Sequence, residues 1–165
     1  MNQSDFHIRL AESRDRESLV TYNMTLAPET EGRQLERSLI QSGVKAILAD
    51  SSKGFYVVME HRPTGKMIGQ LLITFEWSDW RNAVFWWLQS VYVHKEWRRR
   101  GVFRKLYDYV LREGKRQGNV AGIRLYVEQD NAVAQGVYAQ AGLAAAPYKV
   151  FETDFILPTR PGEKS

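Results

Sequence analysis

Apolar positions along this chain change period several times, and each change marks an element. Phe6–Ala11 alternates apolar and polar residues and predicts a first strand. Ser13 stands where an N-cap belongs. The helix that follows carries Leu19, Val20 and Tyr22 and is expected to end before Pro28. Leu35, Leu39, Ile40, Val44 and Leu48 recur near helical spacing and predict a second helix over Gln34–Leu48. Gly54–Glu60 is rich in aromatic and β-branched residues, as a strand is. Arg62-Pro63-Thr64-Gly65 supplies turn residues, so Lys66–Trp77 reads as the return strand of a hairpin. Past a short loop at Ser78–Asn82, Ala83–Val93 predicts a long hydrophobic strand. Val102, Phe103, Leu106, Tyr107, Val110 and Leu111 make one apolar face of a helix over Gly101–Lys115. Ile123–Glu128 predicts a strand, Asn131–Ala141 a helix closed by Gly142, and Tyr148–Ile156 a last strand. The order β-α-α-β-β-β-α-β-α-β implies an α/β (mixed α+β) fold. Its central sheet would be mixed, with helices on both faces.

Composition narrows the class. The chain has 165 residues, 44% hydrophobic and 25% charged, which suits one domain over residues 1–165 with an ordered core of about 5–157. The absence of cysteine excludes disulfides, a thiolate metal site and a cysteine nucleophile. His7, His61 and His94 lack metal-ligand spacing, so no metal is expected. Met1–Ser18 holds no continuous apolar run, and no apolar run in the chain approaches the ~20 residues that span a bilayer. The expectation is a cytoplasmic protein with no membrane partner. A net charge of +4 says little about partners. Its distribution says more, because Arg98, Arg99, Arg100, Arg104 and Lys105 fall within eight positions that hold no acidic residue.

That segment is where a strand runs into a basic turn and the turn opens a helix. The first turn of a helix has unpaired amide donors and a partial positive charge, which acidic residues normally offset. Here cations surround it, an arrangement suited to a bound anion such as a diphosphate. Gly101 would let the backbone approach the ligand, and guanidinium groups match phosphate oxygens. A solvated basic loop and a nucleic-acid patch are the competing readings. The second lacks interleaved aromatics and a broad basic face, so no nucleic-acid partner is expected.

Val93 through Arg104, with the apolar helix after it, resembles the pyrophosphate loop of the GNAT superfamily of N-acetyltransferases. The signature there is Gln or Arg, two residues, Gly, one residue, then Gly or Ala. Arg98, Gly101 and Phe103 occupy those positions, so a phenylalanine replaces the small residue. A second block, Arg124 through Leu143, resembles the superfamily's other motif. There a strand ends, an Asn opens a helix and a Tyr follows seven residues later. Asn131, Tyr138 and the closing Gly142-Leu143 keep that pattern. Ile8-Arg9-Leu10-Ala11 with Asp15 resembles the superfamily's start, so the likeness spans nearly the whole chain.

The resemblance implies a sheet of about six or seven strands and acetyl-CoA as co-substrate. Its diphosphate would meet Arg98, Arg99, Arg100, Gly101, Val102, Phe103 and Arg104. The pantetheine arm and thioester would lie along the main chain of Val91, Tyr92 and Val93. Tyr138 is the implied general acid toward sulfur, and Asn131 either bonds pantetheine or caps its helix. Glu76 is the implied base for the amine, with Asp79 as a substitute; a surface carboxylate is the plain alternative. Trp77, Trp80, Trp86 and Trp87 cluster around one hairpin. Adjacent Trp86 and Trp87 must point to opposite faces, so at most one faces an acyl site. The expected activity is acetyl transfer to a primary amine of a small-molecule or amino-acid-like acceptor, by direct attack in a ternary complex. The alternatives are a protein lysine or N-terminal acetyltransferase, and a noncatalytic CoA-binding sensor. A homodimer is compatible with this reading and unsupported by it.

Overall fold

The computed structural model describes residues 3–157. Its elements run β1 (Phe6–Leu10), α1 (Arg16–Glu31), α2 (Arg37–Ala49), β2 (Phe55–His61), β3 (Lys66–Ser78), β4 (Ala83–Val93), α3 (Val102–Gln117), β5 (Val120–Leu125) and α4 (Ala132–Gln140). The strands form one five-stranded sheet in chain order. β1 to β4 pair antiparallel, and β5 lies parallel to β4. A parallel neighbour requires a crossover, and α3 provides it. The sheet is therefore mixed, as the patterning implied.

Helices cover both faces. On one, Leu19 and Val20 of α1 and Val44 of α2 meet Tyr56, Val58 and Leu72. On the other, Val102, Leu106, Tyr107 and Val110 of α3 pack over Val57, Met59, Ile68, Leu71, Ile73, Trp86 and Leu88. Full burial of each such side chain contributes about 1.5–3 kcal/mol. Gly69 fixes how closely α3 approaches, because a Cβ there would stand 2.8 Å from Val102 Cγ1. At the outer end of β1, Arg9 donates to Asp15 at 2.7 and 2.9 Å and to Glu60 at 3.0 Å, tying β1 to β2 and to the start of α1.

Several boundaries differ from the sequence expectation. Ser13 lies inside a short 3-10 turn, Ser13–Asp15, so it does not cap α1. α1 continues through Pro28 to Glu31. The proline removes one amide near the helix end, and left-handed Gly32 closes the helix by donating to Ala27. α2 begins at Arg37 because Glu36 is extended. β5 starts at Val120 and stops at Leu125, where its ladder with β4 ends. The expected strand over Tyr148–Ile156 is not formed, so among the described residues the sheet has five strands where six or seven were expected. Local chemistry opposes it: Asp154 accepts from the amides of Ile156 and Leu157 at 2.8 and 2.9 Å, turning them away from a ladder.

Candidate functional site

The site grows from a bulge in β4. Gln70 pairs with Tyr92 and Leu72 with Gln89, so Ser90 and Val91 stand opposite Leu71 alone. Ser90 is left-handed, with φ 48. The extra residue reverses the alternation of the strand. Trp86 and Leu88 before it, and Val91 and Val93 after it, all join the α3-side core. Trp87 and Gln89 line the opposite face, and there Tyr92 meets Tyr22 of α1 at 4.6 Å. A buried polar chain holds the bulge. Gln70, fully buried, donates to the Ser90 carbonyl at 3.3 Å and to Asn23 Oδ1 at 2.8 Å. Asn23 donates to the Tyr56 hydroxyl at 3.0 Å. Burial raises the Tyr56 pKa, against hydrogen bonds with Asn23 and the Ser90 side chain.

Beyond the bulge β4 loses its outer neighbour. The ladder with β5 ends at Leu88–Leu125, while pairing with β3 continues to Val93. From Gln89 to Val93 one edge of the strand is thus open among the described residues. It includes Val91, Tyr92 and Val93.

The basic turn follows directly. Arg99 and Gly101 are both left-handed, with φ 60 and 73. Alternating backbone of this kind gathers amides into an anion-binding concavity. Among the described residues no acceptor meets the amides of Arg99, Arg100, Gly101, Val102, Phe103 or Arg104; the ladder of α3 begins with Lys105 donating to the Gly101 carbonyl at 3.0 Å. The cations are less crowded than the sequence suggests. Arg98 donates to Glu29 of α1 at 2.6 Å and to the Val93 carbonyl at 3.0 Å, so its side chain joins α1 to the end of β4. Arg104 pairs with Asp108 at 2.9 Å and donates to the Gln140 carbonyl at 3.1 Å. Arg100 lies over the Trp97 ring at 5.2 Å. Arg99 and Lys105 have no side-chain partner among the described residues.

α4 supplies the next group. Asn131 caps it, accepting from the Ala134 amide at 3.0 Å, which leaves its NH2 for another acceptor. Tyr138 packs edge-on against Phe103 at 5.5 Å, and Phe103 stacks on Tyr107 at 5.8 Å. The phenylalanine at the motif's small position therefore lies against α4 and the α3 core. Burial raises the Tyr138 pKa, so its hydroxyl keeps its proton.

Glu76 lies on the α1/α2 face of the sheet. With Thr74, Phe75, Trp87, Gln89 and Tyr126 it lines an open cavity of about 270 Å³. Its carboxylate accepts from Trp87 Nε1 and from Arg124 Nη1, the latter at 2.7 Å. Trp87 stacks on Tyr126 at 4.3 Å, whereas Trp86 is 2% exposed in the opposite core. Asp79 accepts from the neighbouring Trp80 amide in the hairpin turn. Trp77 and Trp80 are exposed.

Sequence reasoning missed Arg124, Tyr126, Gln89 and the Tyr56–Asn23–Gln70 chain. Trp87 faces Arg124 and Thr74 only through strand register, and no local period encodes it. Among the described residues no cluster of three or more His, Asp or Glu side chains could hold a metal ion, and no helix is long and apolar enough to cross a membrane.

Comparison with known proteins agrees with this geometry. No curated protein sequence matches the chain. Among solved structures, it is similar to a possible acetyltransferase from Clostridium difficile 630, with 39% identity over 92% of this chain and 99% of that one, at a TM-score of 0.85. A predicted acetyltransferase from Clostridium acetobutylicum, determined with acetyl-CoA, shares 17% identity over 90% of this chain and 96% of that one, at a TM-score of 0.73. The aminoglycoside acetyltransferase AAC(6')-Iy, bound to a CoA-containing bisubstrate analogue, shares 16% identity over 90% and 97%, at a TM-score of 0.70. At such identities the last two show the fold alone. The sequence profile of the acetyltransferase (GNAT) family matches residues 16–143. Most of the sheet, the basic turn and Tyr138 lie within that match, and the chain belongs to the GNAT family of acetyltransferases.

Proposed function

We propose that this protein is an N-acetyltransferase that transfers the acetyl group of acetyl-CoA to a primary amine by direct attack in a ternary complex. The run of amides without acceptors from Arg99 to Arg104, beside the open edge of β4, carries the reading. The observed backbone fits the co-substrate. Left-handed Gly101 has nothing within 4 Å of a would-be Cβ, so the turn is open on that side. Its amides, with Arg99, Arg100 and Lys105 nearby, would hold the diphosphate. Main-chain groups of Val91, Tyr92 and Val93 would hold the pantetheine arm, helped by the NH2 of Asn131. Of the cations expected there, Arg98 and Arg104 act differently, since their side chains join elements to one another.

The co-substrate supplies an activated acyl group on a thiol leaving group. Tyr138 holds a proton at its hydroxyl and delivers it to the departing sulfur, whose thiol pKa is ordinarily ~8.5. An acceptor ammonium has a pKa near ~10 and must lose a proton before it can attack. Glu76, whose carboxylate pairs with Arg124, attracts that ammonium and accepts its proton through water. The cavity of about 270 Å³ has room for a small acceptor. Calorimetry with acetyl-CoA, followed by thiol release across a panel of amines, tests the reading. Micromolar binding with amine-dependent release supports it; absence of binding refutes it.

A further inference from the structure

Glu76 lines the cavity, its ion-pair partner Arg124 lies just beside that lining, and the proposed reaction uses one of the two charges. Strand register puts Thr74, Glu76, Trp87 and Gln89 on one face of the sheet, with Arg124 beside Trp87. Arg124 donates one nitrogen to Glu76 at 2.7 Å. Its guanidinium is fixed over the Phe85 ring, with Cζ 3.6 Å from the centroid, and lies 6.0 Å from the Trp87 ring. Gly122 leaves just enough room for that ring, since a Cβ there would stand 3.0 Å from Phe85 Cε1. The Arg124 side chain is 31% exposed, and no other acceptor meets it among the described residues. A stacked, planar guanidinium with unpaired donors is suited to bidentate recognition of a carboxylate. Beside it, the Trp87–Tyr126 stack gives the cavity an aromatic wall, with Tyr126 58% exposed.

We infer that the acceptor is an α-amino acid with an apolar or aromatic side chain: its carboxylate binds Arg124, its ammonium meets Glu76, and its side chain lies on Trp87 and Tyr126. This rests on the acetyltransferase reading and adds the substrate class. The charges of such a zwitterion run opposite to those of the Glu76–Arg124 pair, so each of its charged groups finds a partner there. A plain amine satisfies Glu76 and leaves Arg124 without a ligand. The amine nitrogen gains a bond to the acetyl carbon as the carbon–sulfur bond breaks. An ammonium and acetyl-CoA thus yield an N-acetyl amino acid, free CoA thiol and one proton released to water. Thr74 and Gln89, bonded to each other at 2.7 Å, form the polar floor.

The test compares matched pairs that differ only by the carboxylate: phenylalanine against phenethylamine, and leucine against isoamylamine. Thiol release is measured in the wild type and in Arg124→Gln, with acetyl-CoA affinity measured separately by calorimetry. The expected result is kcat/KM at least about tenfold higher for each amino acid than for its amine, the scale of one charge-assisted hydrogen bond. Arg124→Gln is expected to abolish that preference while acetyl-CoA still binds. Equal use of both members, preference for the amine, or a preference that survives in Arg124→Gln overturns the inference. Acetyl-CoA binding with no turnover of either amino acid overturns the acceptor class and leaves the acetyltransferase reading standing. Failure to bind acetyl-CoA removes both. Trp87→Leu, which retains the ion pair, is a second check: KM for phenylalanine should rise several-fold more than KM for leucine.

Discussion

The side-chain amide of Gln70 donates to the main-chain carbonyl of Ser90 at 3.3 Å, inside a sheet where Gln70 is fully buried. The bond serves a carbonyl displaced from the β3–β4 ladder by the bulge, and it joins that carbonyl to Asn23 of α1. Gln70→Leu keeps a similar volume and removes the donor. Leaving this part-buried carbonyl unpaired costs about 1 kcal/mol. Chemical denaturation should show a loss of that size. Acetyl-CoA affinity should fall as well, because the same bulge shapes the open edge of β4. Unchanged stability would mean that the bulge holds without Gln70.

Tyr138 carries a prediction with a pH signature. Tyr138→Phe should lower kcat by about 10²-fold or more, the usual range for a lost general acid, with little change in acetyl-CoA affinity. Burial raises the pKa of this phenol, so its proton is lost only above the usual tyrosine value of ~10. The alkaline decline due to this group should therefore lie above about pH 10 and be missing in the variant. Equal turnover for wild type and variant would end the general-acid assignment.

The basic turn can be probed at two arginines with different surroundings. Arg100→Glu changes a side chain that, among the described residues, rests on the Trp97 ring alone, and it should weaken acetyl-CoA binding with little effect on folding. Arg98→Ala removes the links to Glu29 and Val93 and should destabilise the join between α1 and β4 as well. That ion pair is about half exposed, so its own contribution is about 0–1 kcal/mol. Paired calorimetry and melting curves separate the two effects.

Gly101 gives a backbone test. Its φ of 73 is left-handed, and Gly101→Val forces a β-branched residue into that region at about 1–3 kcal/mol. Either the turn relaxes and acetyl-CoA affinity drops, or the strain is held and the melting temperature drops. A variant that loses neither would contradict the role given to this turn.

Acid stability should depend on Asp15. Burial alone would raise its pKa, but hydrogen bonds from Arg9 and the Glu12 amide outweigh that and hold it below the usual carboxylate value. A carboxylate with a depressed folded pKa stabilises the fold at pH above its unfolded value of ~3.9, and that contribution is lost as pH falls through the folded value. Asp15→Asn should flatten stability against pH in that acid range. Asp15→Ala, which leaves Arg9 paired with Glu60, should cost about 1–3 kcal/mol at neutral pH. Urea titrations at pH 3 to 7 check both.

The order of elements as far as α4, the apolar stripe of α3, the basic turn at Gly101 and the Asn131–Tyr138 spacing were all legible in the sequence. Each depends on residues close together in the chain, where helical and strand periods act directly. What lay between strands was not legible. The bulge at Ser90 sends Trp87 and Tyr92 to the same face, five residues apart, and a plain alternation would have put them on opposite faces. Glu29 and Arg98 pair across 69 positions, and Glu76 and Arg124 across 48. A last strand suggested by Tyr148–Ile156 did not form, because the turn at Asp154 claims the amide of Ile156 and that of Leu157 just after it. Periodicity is a short-range property and register is a long-range one. The sequence alone therefore determined the family scaffold and the place of its basic turn. Only the tertiary structure decided which charges are already paired and which side chains line the cavity beside Glu76.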